Sequence, residues 1–538
     1  MSDGLRRASP RVATTGGATA REGEIRALGL FETVDVPGAT TASERDDSTR
    51  GRGCGTSTRA RVDRACYLGG SAWAMDWSPR GGWLAAEARG TAHHAHAVRD
   101  VGTCSGLGLV QIWEVSDARA RMAVGMTHGG GCASDARWSP RTDFAGGRGE
   151  REDVVGALAV ALGNGRVEVW MVPKPTSSEG SETVESVAAF VGVVPKEYGA
   201  PWKLDWNAVV PGRLAAGCTS GRVVVWDIDE NSLDGSPKYP KFVIAAAARG
   251  GPCRVVRWPP LEFPEDESAC ANIIACGSDY ATRPHLFDLR APFAPIGDAF
   301  ERGQPWTLDM AWLPRGALVA SLETSDRSSA KTLRAPSGAK KSATATRTLV
   351  TQFDLTANAE DEGAQPTTGH SVPGRGAPWG LDARASEDPT CAAAMVACAS
   401  ANGVVCVCPM RYISKRIRTQ ARSEFETCGG LLAYDEDAKS AMTTNPVDPP
   451  KCFEFITSSE QVPLEADLYP PFASARPGTR DSPTTAQHCV RWSKDPSMGW
   501  WLASAGEAGF LRLQKFDSEW IEGKLAQLER VHGGGGSK

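Results

Sequence analysis

A chain of 538 residues, 41% of them hydrophobic, can bury a large core, and ordinary domain lengths would divide it unless repeats account for its size. Its 59 Lys and Arg against 64 Asp and Glu give a net charge of -5, which excludes holding nucleic acid by bulk charge and leaves only local basic patches for that task. The cysteines are scattered through apolar runs, as at Cys218, Cys276, Cys398 and Cys406, and with no signal-peptide pattern they read as reduced thiols of an intracellular protein. No apolar run approaches the ~18 residues of a membrane helix, so a soluble protein is expected.

In chain order, residues 1–58 are rich in Gly, Ala, Ser, Thr and Arg without sustained periodicity, which predicts a disordered N-terminal segment. Glu22, Glu24, Glu32 and Asp35 argue against an organelle transit peptide there. Over residues 59–516 one unit recurs: an apolar strand ending in Trp, an Ala-rich strand, a Gly turn, and a strand ending in Trp or Phe. It opens at Trp73-Ala74-Met75-Asp76-Trp77-Ser78-Pro79. It returns at Ser134 to Trp138, Trp202 to Trp206, Arg254 to Trp258, Trp306 to Met310, Trp379 to Ala383 and His488 to Trp492.

Second strands such as Leu214 to Cys218 and third strands such as Arg222 to Ile228 follow each opening. They are joined by tight turns at Asn164-Gly165, Ser220-Gly221 and Asn402-Gly403, where both residues accept positive φ at low cost. Outer strands are predicted at Met122 to Met126, Val187 to Val194, Phe242 to Ala247 and Cys452 to Thr457. The third-strand aromatics Trp113, Trp170, Trp226, Phe287 and Phe353 recur roughly every 55 to 65 residues, above the ~40 to 45 of a compact blade, so loops are inserted, notably near 324–347 and 411–487.

These elements predict an all-β chain folded as a seven-bladed β-propeller. The seventh unit lacks its own outer strand, and Arg61 to Leu68 is expected to supply it, closing the ring and removing an open sheet edge. Residues 517–538 read as a short C-terminal helix, with Trp520, Ile521, Leu525 and Leu528 on one face, and a Gly-rich tail.

Four tryptophans, Trp73, Trp202, Trp306 and Trp379, stand at the start of an opening strand, near the expected channel mouth. They suit capture of a partner peptide or, equally, packing between blades. One position before the aromatic, Asp76, Arg137, Asp205, Arg257, Asp309, Asp382 and Arg491 are expected to be structural groups, solvated or paired between neighbouring blades. Two basic stretches, one containing Lys340 and Lys341 and one containing Arg411, Lys415, Arg416 and Arg418, can touch phosphate, act as a nuclear import signal, or remain solvated loops. His93, His94 and His96 lack partners at metal-ligand spacing, and Cys406 and Cys408 read as core. No catalytic constellation, phosphate-cradling loop, metal site or cofactor site is legible, so an enzyme is not expected.

The repeats resemble the WD40 family, whose fold is the closed propeller and whose usual work is protein recognition; Trp226-Asp227 spells the signature dipeptide. A narrower resemblance runs through Trp73 to Pro79, Gly108-Leu109-Val110-Gln111-Ile112-Trp113, His128-Gly129, Arg137-Trp138-Ser139-Pro140 and Gly165-Arg166-Val167-Glu168-Val169-Trp170. In order and approximate spacing these look like the WD40 subunit of general transcription factor IIIC. That resemblance implies a nuclear, non-catalytic scaffold that binds sister subunits and supports RNA polymerase III transcription of transfer-RNA genes, with promoter DNA met indirectly. No membrane and no small-molecule substrate are implied. The alternative is a WD40 adaptor of another nuclear complex, either a histone-tail reader or a ubiquitin-ligase substrate receptor.

Overall fold

The computed structural model describes residues 30–36, 60–89, 106–141, 153–247, 251–260, 267–278, 284–296, 306–314, 317–323, 349–354, 365–371, 378–401, 403–411, 425–433, 453–455 and 485–533. Their strands form seven sheets. The inner strands are Ser71–Trp77, Ala133–Trp138, Pro201–Trp206, Cys253–Arg257, Trp306–Leu313, Pro378–Ala385 and Gln487–Trp492, numbered here as sheets one to seven. Each inner strand packs beside the next, and the last packs against the first, so the ring is closed. Residue size explains the wedge shape of each sheet-to-sheet gap. Fully buried Ala86, Ala159, Ala216, Ala397 and Ala503 on the second strands let sheets approach closely, while buried Trp113 and Trp170 on the third strands fill the space where sheets diverge.

The architecture is an all-β propeller with few helices. Six sheets reach the four or five strands of a blade, whereas sheet four stops at three strands, Cys253–Arg257, Ile273–Ser278 and His285–Asp288, among the described residues. Beside its third strand an isolated bridge joins Pro295 to Phe287, and the Ile296 N–H donates to the Leu286 carbonyl at 2.8 Å.

Closure follows the expectation from Arg61 to Leu68. Ala60–Tyr67 pairs antiparallel with Phe510–Phe516 as the outer strand of sheet seven. A buried ion pair fastens it: Arg512 donates to both carboxylate oxygens of Asp63, at 2.8 and 2.5 Å, and to the Gly430 carbonyl at 3.2 Å, while its guanidinium lies 5.3 Å from the Phe455 ring centre. Gln514 donates to the same carboxylate and to the Cys428 carbonyl, tying sheet seven to sheet six.

The segment read as disordered contains an ordered piece. Thr33–Asp35 adds a fifth strand to sheet seven, and Val36 packs with Tyr67, Phe455 and Phe510. The outer edge of Ala60–Tyr67 has unpaired backbone groups to offer, and this short strand takes them up. Likewise, the stretch read as an insertion at 411–487 holds two strands. Glu426–Ala433 is the fourth strand of sheet six, and the expected Cys452 to Thr457 strand, observed as Phe453–Phe455, is its fifth. Glu426–Ala433 escaped the sequence pattern because Gly429 and Gly430 break its alternation; a Cβ at Gly429 would lie 2.8 Å from the Gln514 side-chain oxygen. Two parallel strands were also unanticipated. Glu182–Glu185 leaves the third strand of sheet two to cover the edge of sheet one, and Pro237–Lys238 does the same from sheet three to sheet two. The residues of the 324–347 insertion lie outside the described ones.

The C-terminal helix, Ser518–Gly533, docks on sheet six. Ile521 and Leu525 are fully buried beside Met395, Val407 and Trp500, and Trp520 stacks on Phe516. At its polar margin, Glu522 accepts from the Ser386 hydroxyl and the Glu387 N–H, Lys524 pairs with Glu426, and Arg411 pairs with Glu529 at 3.1 Å.

Buried His128 ends the fourth strand of sheet one and accepts the Gly130 N–H through Nδ1 at 3.2 Å. Gly108 has no room for a side chain, since a Cβ there would lie 2.2 Å from the imidazole. Burial pushes the His128 pKa down to about 4. Above the unfolded value of about 6.5 both states hold a neutral ring. As pH falls, the unfolded chain takes a proton that the fold accepts only near 4, so stability is lost across that window, by up to about 3 kcal/mol. Urea midpoints measured between pH 7 and 4 should decline more steeply for the natural chain than for His128→Gln, and parallel curves would refute this.

Candidate functional site

In every sheet the ladder between the first and second strands skips one residue near the start of the inner strand: Trp73, Ser134, Trp202, Arg254, Leu308, Trp379 and His488. Such a β-bulge re-aims one side chain and recurs here at one level of the ring, the channel mouth. Three of the four sequence-selected tryptophans occupy this position. Trp306 does not: it is the first residue of its strand, paired with Glu323, and the bulge falls on Leu308. The aromatic equivalent to Trp77 in sheet five is therefore Trp312, and Met310 is not that residue. The side chain of Trp306 lies outside the described ones.

Counting from the bulge clarifies the charged belt beneath the mouth. Three positions on, Asp76, Asp205 and Asp382 each accept the backbone N–H of the next sheet's aromatic, from Trp138 at 3.0 Å, Trp258 at 2.7 Å and Trp492 at 2.8 Å. One position on, Asp135 and Asp309 accept the N–H of Leu204 and Leu381, both at 3.0 Å. Asp309 thus belongs to the upper tier and was displaced by two residues in the sequence register. Indole N–H groups return the bonds: Trp138 donates to the Asp76 carbonyl, Trp206 to that of Arg137 and Trp77 to that of Arg491, at 3.0 to 3.1 Å. Between sheets four and five, Arg257 instead reaches Asp309 at 2.7 Å and the Met310 carbonyl at 2.9 Å. Of the seven charged residues, Asp76, Asp205, Asp309 and Asp382 accept backbone N–H groups of the next sheet, and Arg137 and Arg257 reach carboxylates of neighbouring sheets.

The belt's ion pairs are unevenly shared. Arg137 lies 3.2 Å from Asp135 and 3.6 Å from Asp76, Lys203 is 3.8 Å from Asp135, and Arg491 is 3.7 Å from Asp309. Burial alone would raise the Asp135 pKa, but Arg137, Lys203, Arg491 and the Leu204 N–H outweigh it and hold it at about 2. For Asp205, by contrast, burial wins over the more distant Arg257 and Arg137 and lifts the pKa above the usual carboxylate value.

At the mouth itself, Trp73 lies against His488 with ring centres 3.9 Å apart, and Trp379 meets Trp73 edge-on at 6.0 Å and His488 at 6.2 Å. These rings come from sheets one, seven and six. Trp73 and Trp379 touch although sheet seven stands between their strands, which places their meeting toward the ring's axis. Ser71 accepts the Trp73 indole N–H at 3.0 Å and donates to Glu507, whose carboxylate is 3.6 Å from the His488 Nε2. Trp202 holds the same position in sheet three, and all three tryptophans are half-buried. An arrangement of partly accessible ring faces beside a carboxylate can grip a peptide side chain by stacking and charge.

His488, Ser71 and Glu507 were missed by the sequence reading. His488 stands four residues before Trp492, as Trp73 does before Trp77, and that spacing was the available signal. Of the basic candidates, Arg411 is engaged by Glu529, and Lys340, Lys341, Lys415, Arg416 and Arg418 lie outside the described residues, as do His93, His94 and His96. Cys406 and Cys408 are buried, and burial together with neighbouring Cys398 pushes the Cys406 thiol well above its usual pKa.

No family model matches the chain. It is 24% identical over 299 residues to General transcription factor 3C polypeptide 2 of Homo sapiens and 25% identical over 299 residues to the polypeptide of that name from Pongo abelii. Each alignment covers 48% of this chain and 31% of the relative, so the chain spans under a third of the proteins it matches. The chain is thus an all-β propeller that is similar, over part of its length, to this transcription-factor polypeptide.

Proposed function

We propose that the protein is a non-catalytic scaffold subunit of a transcription factor IIIC-like complex in the nucleus, which supports RNA polymerase III transcription of transfer-RNA genes by docking sister subunits at its channel mouth. Sheet four, with its bridge at Pro295, counts as one of seven blades in this reading. The observation that carries the docking role is the convergence of Trp73, Trp379 and His488 from three sheets onto one accessible mouth, in a chain aligned with a transcription-factor polypeptide. A binding role without catalysis is supported by the belt below, where carboxylates and guanidinium groups are engaged in joining sheets.

Affinity purification of the tagged chain from nuclear extract, followed by mass spectrometry after a moderate salt wash, tests this. The natural chain should recover the large subunits of the factor. Trp73→Ala with Trp379→Ala should reduce that recovery at least tenfold, because truncating central interface aromatics commonly costs upwards of about 2 kcal/mol, with little change in the melting curve. Recovery of ubiquitin-ligase or histone-reader components in their place would overturn the assignment and support an adaptor of another class.

A further inference from the structure

Four of the seven sheets carry a fifth strand on their outer edge. For sheets one and two it is a parallel strand returned by the next sheet. Residues 174–187 link the third and fourth strands of sheet two and lay Glu182–Glu185 on sheet one, and residues 228–241 link those of sheet three and lay Pro237–Lys238 on sheet two. Sheet four breaks the series. Its link, residues 289–294 between Asp288 and Pro295, is less than half as long. Fully extended it spans about 20 Å, and half of that goes to the return beside Phe287, so it cannot lie along a strand one sheet away. The outer strand of sheet three, Phe242–Ile244, is therefore an edge with no strand beside it among the described residues. Its pairing with the third strand extends from Lys241, whose N–H donates to the Val225 carbonyl at 2.7 Å, to Ala247, whose N–H donates to the Gly221 carbonyl at 2.9 Å. His285 of sheet four hydrogen-bonds the Ala246 backbone, which leaves Lys241 to Ala245 as the open part. Along it Phe242 and Val243 are half-buried and Ala245 is exposed, and Tyr239, 74% exposed, stands where the chain passes from the edge of sheet two to this strand. The charges beside it are matched: Lys241 and Arg213 both pair with Asp227, each at 2.6 Å, and Lys238 pairs with Asp234 at 3.1 Å.

We infer that this edge is a second docking surface, which takes an extended segment of a partner polypeptide as a parallel strand, and this rests on the scaffold role proposed above. The molecule already uses the same mode of addition on the two preceding sheets. An edge strand offers backbone N–H and C=O groups whose pairing supplies affinity, while alternate side chains of the added strand supply specificity. The adjoining chain has no length to spare for the task. Residues 248–250 only join the outer strand of sheet three to the inner strand of sheet four, and residues 297–305 are spent crossing from Ile296 to the inner strand of sheet five at Trp306. The occupant is thus a strand with alternate apolar residues, packed on Phe242, Val243 and the exposed ring of Tyr239, an aromatic of the kind enriched at protein interfaces. Because Lys241, Arg213 and Lys238 are matched by Asp227 and Asp234, the net charge of the segment does not select it.

The test places the photo-cross-linker p-benzoylphenylalanine at Tyr239, at Ala245 or, for comparison, at Val187, which is 79% exposed and precedes the covered outer strand of sheet two. All three positions are exposed, so the fold tolerates the probe. The full chain is irradiated in nuclear extract and purified, and the adducts are identified by mass spectrometry. Tyr239 and Ala245 should both join one short stretch of a large subunit of the factor, the Tyr239 adduct N-terminal to the Ala245 adduct as parallel addition requires, with yields at least tenfold above that of Val187. In the recovered assembly the amides of residues 242–245 should exchange at least tenfold more slowly than in the isolated chain. Adducts confined to this chain, adducts in the reverse order, yields no higher than that of Val187, or unchanged exchange would each overturn the inference. The two levels separate cleanly. Recovery of the subunits without these adducts ends the inference and leaves the scaffold reading standing. Adducts in parallel order on a ligase or histone-reader component keep the edge as a strand-docking surface and sink the transcription-factor assignment, and a chain that recovers no partner loses both.

Discussion

Arg512→Ala is expected to lower the free energy of unfolding by about 3–5 kcal/mol, the range for breaking a buried pair so that one charge is left without its partner. The side chains of Arg512 and Asp63 are 3% and 2% exposed, and 449 residues of chain separate them. With the guanidinium removed, the Asp63 carboxylate keeps only the Gln514 amide, the Gly430 carbonyl loses a donor, and the Phe455 ring loses its cation. All three strands that meet at the closure, Ala60–Tyr67, Phe510–Phe516 and Glu426–Ala433, are loosened together. Urea unfolding followed by tryptophan fluorescence reads the loss, and limited proteolysis should cut first near residue 60. The exposed pair Lys238 with Asp234 is the comparison: Lys238→Ala should change stability by less than about 1 kcal/mol. A loss of similar size for both variants would show that Arg512 is not the closure's clasp.

The second large effect is expected at the C-terminal helix. Ile521→Ala and Leu525→Ala each remove a fully buried side chain from the contact with Met395, Val407 and Trp500, and each should cost about 2–5 kcal/mol. The residues share one face and one partner surface, so the double variant should cost less than the sum, since the first truncation already frees the helix. Hydrogen exchange gives the specific readout. Amides of residues 521–530 should exchange at nearly the rate of a free helix in the double variant, while those of Trp501–Gly506 stay protected. Protection of the helix in that variant would show that Lys524, Glu522 and Glu529 hold it without the apolar contact. The helix also links sheet six to sheet seven beyond the ring closure, because it follows Phe516 and lies on Ala393–Ser400 and Val404–Arg411.

Much of the ring was legible because its code is local. The Trp77, Trp138, Trp206 and Trp492 positions, the alanine second strands and the Asn164-Gly165 and Asn402-Gly403 turns each announce a strand or a hairpin within a few residues. The ring-closing strand was legible as well, since a seventh unit without an outer strand and an apolar run ahead of the first unit imply one another. The sheet-five register was not. Met310 and Trp312 can each close the opening apolar run that starts at Trp306, and only the bulge at Leu308, a property of pairing with Ala317–Glu323, decides between them.

Composition and periodicity by themselves determined the all-β class, the repeat, the N-terminal closure and the helix at the end, because strand alternation and turn chemistry are written in adjacent residues. Tertiary structure alone decided which distant groups meet. His488 lies against Trp73, Asp63 beneath Arg512, and Glu182–Glu185 along sheet one because the ring brings together strands far apart in the chain, and a single sequence carries no signal of that proximity. The same holds for the belt. Asp76 and Asp205 look alike in sequence, yet the first has an arginine within 4 Å and the second does not, and only the assembled ring decides that difference in neighbours.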